Sequence, residues 1–231
     1  AGDISVSDIG QMKTIKEKVP KASIHVSSLA TAINKHSVQM FKSMGVKRIV
    51  FPRSLSIAEI AELIHYGGRD LEYEVFILND GCIYEEGNCF TTHNQVGAFC
   101  SAENWDYQWF SSKGEKHFSE RERKKLAQQL DHYREFVWFA NSCGCSVSEE
   151  GLPLGPCGLC ALPELARIGV DSLKIVGREA SPYRKLASVQ IVSSIVRAVR
   201  EGLEKEEIVK KAIRIRKTEE LCASGYMCYY K

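Results

Sequence analysis

Cysteine is the residue type whose placement carries the most chemistry in this chain. Nine occur, at Cys82, Cys89, Cys100, Cys143, Cys145, Cys157, Cys160, Cys222 and Cys228, and none lies in the first 81 positions. An odd number leaves one thiol over from any closed set of disulfides. Small secreted scaffolds spread bridges through a short chain; thiols gathered late in a longer one point to metal binding or redox chemistry. Cys82 follows Leu78, Asn79, Asp80 and Gly81 at the end of an apolar run, and Cys89 stands beyond Gly87. Cys100 follows Gly97, and Cys160 precedes a short helix-like segment. Loops after parallel strands are where the sites of such folds gather, so these four can converge although they are far apart in sequence. Four thiolates suit a [4Fe-4S] cluster or a tetrahedral zinc. Spacing alone does not choose between them. The tight pairs Cys143-x-Cys145 and Cys157-x-x-Cys160 offer a rival zinc set of Cys143, Cys145, Cys157 and Cys160. The second pair also suits dithiol redox chemistry. Cys222 and Cys228 lie in a tail with Gly, Tyr and Met, where they pair with each other, line a second centre or stay inert.

Polar residues near strand ends are the next candidates. His25 leads to Ser27 and Ser28, where it meets substrate or forms a half-buried hydrogen bond. Ser27 and Asn34 orient a polar ligand or cap the following helix. Arg53, after Pro52, clamps a carboxylate or phosphate or closes a salt bridge. Lys174 points into a barrel interior or pairs with Glu74, and a buried Lys–Glu pair is tolerated only with good mutual geometry. Arg178, after the strand-ending Gly177, is the better anion-binding residue. The run Arg121 to Lys125 reads as a solvated helix face, with RNA contact as the alternative. Trp105, Tyr107 and Trp109 read as core or interface packing, with base stacking as the alternative. Neither Gly-x-Ser-x-Gly nor His-Glu-x-x-His occurs in the sequence, so two common hydrolase signatures are missing.

These residues need elements to hold them. Short apolar runs over 4–7, 23–28, 48–51, 72–78 and 172–177 predict five strands. Between the first four lie helical segments. Asp8 caps one that reaches about Lys18, before Pro20. Asn34 to Met44 forms another, closed by Gly45. Ser56 and Glu59 have capping-box spacing at the head of a third, ended by Gly67 and Gly68. From Ser119 to Trp138 a helix is expected, although the stretch Arg134 to Ala140 also reads as strand. Residues 141–160 read as loop. A short helix precedes the fifth strand, Pro182 opens a long helix to Arg200, and a charged helix runs from Glu204 to about Lys217. Strands alternating with helices predict a parallel α/β layout. Five strands are too few for a complete (β/α) barrel, so the expected fold is an open sheet or a partial, TIM-like (β/α) barrel with a cysteine-rich insertion over 81–160. No repeat or linker divides the chain, and 1–231 is read as a single domain.

Composition narrows the class. The chain has 231 residues, 44% apolar and 26% charged, which excludes a disordered or collagen-like polypeptide. Its formal net charge is +2, so bulk charge gives no argument for nucleic acid, though a local patch remains open. No apolar stretch reaches the roughly 18 residues of a membrane helix. Residues 1–8 resemble neither a signal peptide nor a basic transit segment, so a cytoplasmic protein is expected.

The segment EVFILNDGCIYEEGNC resembles the signature of the U32 family, long called collagenase-like peptidases. Glu74, Phe76, Cys82, Gly87 and Cys89 fit its spacing. The segment from Ile24 to Ile60 is similar to what precedes that signature, NQVGAFC to a shortened Asn-x-Gly-x-Cys element, and the segment from Leu159 to Lys185 to the later Lys-Ile-x-Gly-Arg region. The resemblance runs over about residues 3–200. It implies a barrel-like β/α fold and a [4Fe-4S] cluster on Cys82, Cys89, Cys100 and Cys160. From their places near strand ends, His25, Glu74, Lys174 and Arg178 are the candidate catalytic residues. Several members act in oxygen-independent hydroxylation of RNA bases or ubiquinone precursors, with prephenate as a suspected oxygen source, and some work as unlike pairs. The implied function is therefore hydroxylation or modification of RNA or of a small aromatic molecule. The alternatives are peptidase activity, as the old name says, and a non-catalytic, cluster-bearing subunit. Departures from the pattern are Asn79 in place of a small residue, a short interval from Cys89 to Cys100, Val176 in place of an acid, and the extra Cys143, Cys145 and Cys157. The chain begins where family members are near their middle. The expectation is thus a barrel without its first strands, which a protein partner or second subunit supplies, or a fragment of a longer chain.

Overall fold

The computed structural model describes residues 2–79, 81, 110–112, 114, 118–140, 147–177, 180–225 and 227–230, with the backbone alone at 133–140. Strands β1 (Asp3–Val6), β2 (Ser23–Val26), β3 (Arg48–Val50), β4 (Glu72–Leu78) and β5 (Ser172–Ile175) form one sheet in that order, every neighbouring pair parallel. Helices α1 (Ile9–Lys18), α2 (Lys35–Ser43) and α3 (Ile57–Gly67) make the crossovers between β1 and β4. Then come α4 (Glu120–Ala140), α5 (Leu162–Ile168), α6 (Pro182–Arg200), α7 (Lys205–Arg216) and the short α8 (Glu219–Ser224). This is the parallel half-barrel, a partial TIM-like architecture, that the strand and helix order predicted.

Local chemistry sets the crossovers. The Asp8 carboxylate accepts the Gln11 amide at 2.7 Å and starts α1. Asn34 and Ser37 close a reciprocal capping box on α2, and Ser56 and Glu59 close another on α3. Each crossover helix can then lie over the sheet and cover its outer face. Along each strand, alternate residues face opposite sides. Ile24, Val26, Ile49, Tyr73, Val75 and Ile77 enter a continuous core with Met12, Val38, Phe41, Ile60, Leu165 and Ile195 of the helices. Gly67 lets Tyr73 reach this layer: a Cβ there would sit 2.1 Å from the Tyr73 hydroxyl, which donates to the Gly68 carbonyl at 2.7 Å.

Toward the N-terminal ends of its strands, the other face of the sheet is polar. Ser23, His25, Arg48, Glu72, Glu74, Ser172 and Lys174 lie on it and are half-buried. Such a face is the inner wall of a barrel rather than a second hydrophobic layer.

Three local outcomes refine the sequence reading. The stretch Arg134 to Ala140 continues α4 as helix. Short 3-10 turns at Ser28–Ala30 and Leu159–Ala161 and the helix α8 had no sequence expectation. Residues 227–230 turn back to the sheet: Cys228 forms a parallel bridge with Cys157, and the Tyr230 hydroxyl donates to the Phe76 carbonyl at 2.7 Å. Among the described residues, no helix is long and apolar enough to cross a membrane.

Candidate functional site

The inner wall is organised in layers by strand register. The lowest layer, toward the N-terminal ends of the strands, pairs His25 with Arg48 and Arg48 with Glu72. Arg48 is its centre. Its Nε and Nη2 donate to Glu72 Oε2 at 2.9 and 2.6 Å, and its Nη1 donates to Glu74 Oε2 at 2.9 Å. Burial opposes the charge of Arg48, but the hydrogen bonds from Glu72 and Glu74 outweigh it and raise its pKa. The same contacts hold the Glu72 carboxyl below the usual range. Lys47 lies 3.5 Å from Glu72 and 4.0 Å from Asp3, and His25 Nε2 lies 3.6 Å from Asp3. Burial pushes the His25 pKa down, and the Arg48 charge adds to the effect. This layer is an ionic network at the end of the barrel where, in complete barrels, residues serve stability.

One layer up, Lys174 pairs in register with Phe76. Its ammonium lies 3.7 Å from Glu74 and 5.4 Å from the Phe76 ring centre. Arg53 lies over the same ring at 3.6 Å. Two cations thus lie against one aromatic ring at the C-terminal half of the wall, where active sites of this architecture gather. Lys174 connects the two layers through Glu74. The tail closes this end: Tyr229 donates to the Asn79 carbonyl, and the Tyr229 and Phe76 rings stand 6.2 Å apart. Gly158 allows the tail to seat, since a Cβ there would lie 2.7 Å from Tyr230 Cε2.

Beside this mouth lies a group of thiols. Gly158 and Asn79 tie the two loops together: the Gly158 amide donates to Ile77 O at 2.8 Å, and the Asn79 amide donates to Pro156 O at 2.8 Å. Cys160 therefore stands beside the end of β4, from which Gly81 leads on to Cys82. Burial pushes the Cys160 thiol up to about 11, reinforced by Cys157, Cys222 and Cys228 nearby. Burial also raises the Cys157 thiol, opposed by Arg216 and by the Leu159 amide, which donates to Cys157 Sγ at 3.4 Å. The tail brings Cys228 beside Cys157, a neighbourhood that sequence spacing did not show. Among the described residues, no three His, Cys, Asp or Glu side chains are placed to hold a metal ion.

The predicted site residues divide accordingly. His25, Glu74 and Lys174 share the inner wall, but His25 and the Arg48-bound side of Glu74 belong to its lower layer. Cys160 is at the mouth. Cys82, Cys89, Cys100, Cys143, Cys145 and Arg178, with Trp105, Tyr107 and Trp109, lie outside the described residues. Arg48 and Phe76 were not singled out for chemistry in the sequence. The signal for Arg48 was its register: a basic residue at the head of a strand whose neighbour carries Glu72 and Glu74 in alternation.

Comparison with known proteins adds a second line. A model of peptidase family U32 matches residues 2–231. The chain is similar to the tRNA hydroxylation protein P1 of Bacillus subtilis, 26% identical over 201 residues, covering 84% of this chain and 42% of that protein. It is similar to the tRNA hydroxylation protein P of Haemophilus influenzae, 34% identical over 110 residues, covering 45% and 24%. The corresponding Escherichia coli protein is 32% identical over 109 residues, covering 44% and 24%. The chain spans less than half the length of these curated relatives.

Proposed function

Because this chain belongs to peptidase family U32, we propose that it takes part in oxygen-independent hydroxylation of tRNA as an iron-sulfur protein. The observation that carries this reading is the position of Cys160. It stands at the C-terminal mouth of the half-barrel, beside the point where β4 leads through Gly81 toward Cys82, in a chain whose relatives are named for tRNA hydroxylation. Cys82, Cys89, Cys100 and Cys160 would hold a [4Fe-4S] cluster, and the described member of the set fits as a half-buried thiol. Zinc on Cys143, Cys145, Cys157 and Cys160 is the competing assignment.

When bound, a fully thiolate-ligated cluster supplies electron transfer. The chain's own residues do the rest. Arg53 and Lys174 present two positive charges over the Phe76 ring and suit an anionic or aromatic group entering the mouth. Glu74 holds the Lys174 ammonium on the wall. Tyr229 and Tyr230 cover the far side and limit water. The described sheet leaves β1 and β5 with one neighbour each, which favours a further part or a second subunit that completes the barrel.

The test is anaerobic purification followed by visible absorption and counts of iron, acid-labile sulfide and zinc per chain. A brown protein with iron and sulfide in equal amounts, bleached by Cys160→Ala, is the expected result. A colourless protein with one zinc and no sulfide overturns the cluster. Loss of hydroxylated nucleosides from tRNA of cells lacking the gene, read by mass spectrometry, tests the substrate. An unchanged nucleoside profile refutes that part.

A further inference from the structure

The C-terminal tail and the loop before α5 meet in one short parallel bridge, and each side of that bridge carries a cysteine. The Cys157 amide donates to Met227 O at 2.7 Å, and the Tyr229 amide donates to Cys157 O at 3.0 Å. This pattern sets Cys157 and Cys228 directly beside each other. Neighbouring strands lie about 4.7–4.9 Å apart, inside the span of about 4.4–6.8 Å between the Cα atoms of a disulfide. The two thiols are also close enough for the charge of one to act on the other.

Both partners are held in this register. Arg216, 2% exposed, donates from Nη2 to Gly155 O at 2.7 Å and to Pro153 O at 3.3 Å, which pins the loop from one side. The end of β4 pins it from the other, through Pro156 O and the Gly158 amide. The tail is seated by Tyr229 on the Asn79 carbonyl and by Tyr230 on the Phe76 carbonyl. Access differs between the two thiols: Cys228 is exposed and Cys157 is half-buried. An attacking thiol must be reached from solvent, whereas a resolving thiol needs only to stand beside it.

We propose that Cys157 and Cys228 are a redox-active pair, oxidised by low-molecular-weight disulfides, whose disulfide straps the tail across the mouth of the half-barrel. The Cys228 thiolate attacks one sulfur of the small disulfide. That S–S bond breaks, a mixed disulfide forms on Cys228, and the first small thiolate leaves and takes up the proton Cys228 gave up. The Cys157 thiolate then attacks Cys228 Sγ, and the second small thiolate leaves and takes up the proton from Cys157. Two protein thiols are oxidised and one small disulfide is reduced. The pair uses neither Cys82 nor Cys160, so it coexists with the cluster proposed above and does not depend on it. In the reduced form the tail is held by hydrogen bonds alone and can open locally.

The experiment uses the full chain, purified without oxygen with its metal in place. It is equilibrated in buffers of oxidised and reduced glutathione, quenched with acid, alkylated and digested, and the joined peptides are identified by mass spectrometry. Cys222 is 6 positions from Cys228 and Cys157 is 71, so loop closure in a chain unfolded in urea favours the nearer pair by about 40-fold. The folded chain should invert that preference, with Cys157–Cys228 ahead by about tenfold or more. Cys222→Ser should leave the pair intact, and Cys157→Ser should leave Cys228 carrying glutathione. Carboxypeptidase should release Tyr230 about fivefold more slowly from the oxidised parent than from the reduced one, with no such difference in Cys157→Ser. A folded chain that joins Cys228 to Cys222, or that stops at the mixed disulfide, refutes the pair. A Cys157 that stays reduced in every buffer while zinc stays bound also refutes it, since that thiol is then a metal ligand. A Cys157–Cys228 disulfide that leaves the trimming rate unchanged refutes the strap.

Discussion

Replacing Arg48 with Met tests whether the lower layer of the inner wall is a structural lock or a reactive site. Arg48 makes three charge-assisted hydrogen bonds, two to Glu72 and one to Glu74. The Glu72 side chain is 35% exposed, so water screens its share to about 0.5 kcal/mol. The Glu74 side chain is only 13% exposed, and losing its partner costs about 1.5–3 kcal/mol. Lys174, at 3.7 Å, offsets part of that. The expected loss in Arg48→Met is therefore about 2–3 kcal/mol, or a melting point lower by about 4–12 °C for a chain of this size. Urea unfolding at neutral pH reads it directly. Glu74→Gln added to Arg48→Met should recover part of the loss, because a buried carboxylate left with only the Lys174 ammonium at 3.7 Å is removed. The sign with pH follows from Glu72. Its folded pKa is lowered, so its stabilising share is present above the unfolded carboxylate value and lost as pH falls through the folded one. The gap between parent and variant should narrow in acid. A loss under about 1 kcal/mol, or strict additivity of the two substitutions, would refute the lock. A variant of unchanged stability with no activity would make this layer the reactive one instead.

Three further outcomes are expected. Gly158→Ala should lift the tail, because the new Cβ would stand 2.7 Å from Tyr230 Cε2; about 1–3 kcal/mol is lost, and carboxypeptidase should trim the chain faster, read by mass spectrometry. His25 has a lowered pKa, so below its unfolded value near 6.5 the folded protein resists a proton that the unfolded chain accepts. Stability should therefore fall as the pH drops from about 6.5, and His25→Gln should flatten that part of the urea-midpoint profile. Ser56→Ala removes the oxygen that accepts the Glu59 amide, and the cap on α3 with it. It should cost about 1 kcal/mol, seen as a melting point lower by about 2–4 °C.

The alternation of apolar and polar residues made the strands and the crossover helices legible, because each element carried its own period and its own cap. Asp8, Asn34 and Ser56 each stand where a helix begins. The site was less legible. Lys174 and Glu74 could be paired from sequence because an acid and a base on adjacent parallel strands have few other partners. Arg48 escaped notice because a strand-initial arginine is usually solvated, and only strand register reveals that it faces two carboxylates. The hydrogen bond from Asn79 to Ser188 escaped as well: the two residues are 109 positions apart, and no local pattern links them. Tyr229 and Tyr230 carried no expectation, because aromatic residues without a period carry no direction until a surface receives them.

That receiving surface gives the chain an order of assembly. The sheet adds strands in the sequence in which they are synthesised, each beside the one before, so β1 to β4 can zip together while the ribosome is still translating. The mouth cannot close at that stage. Tyr229 reaches back 150 positions and Tyr230 154 positions to the end of β4. Until they emerge, the Cys157–Cys160 loop lacks the segment that pairs with it. Seating Tyr229 and Tyr230 on the mouth is thus a step of its own, separate from the pairing of the first four strands.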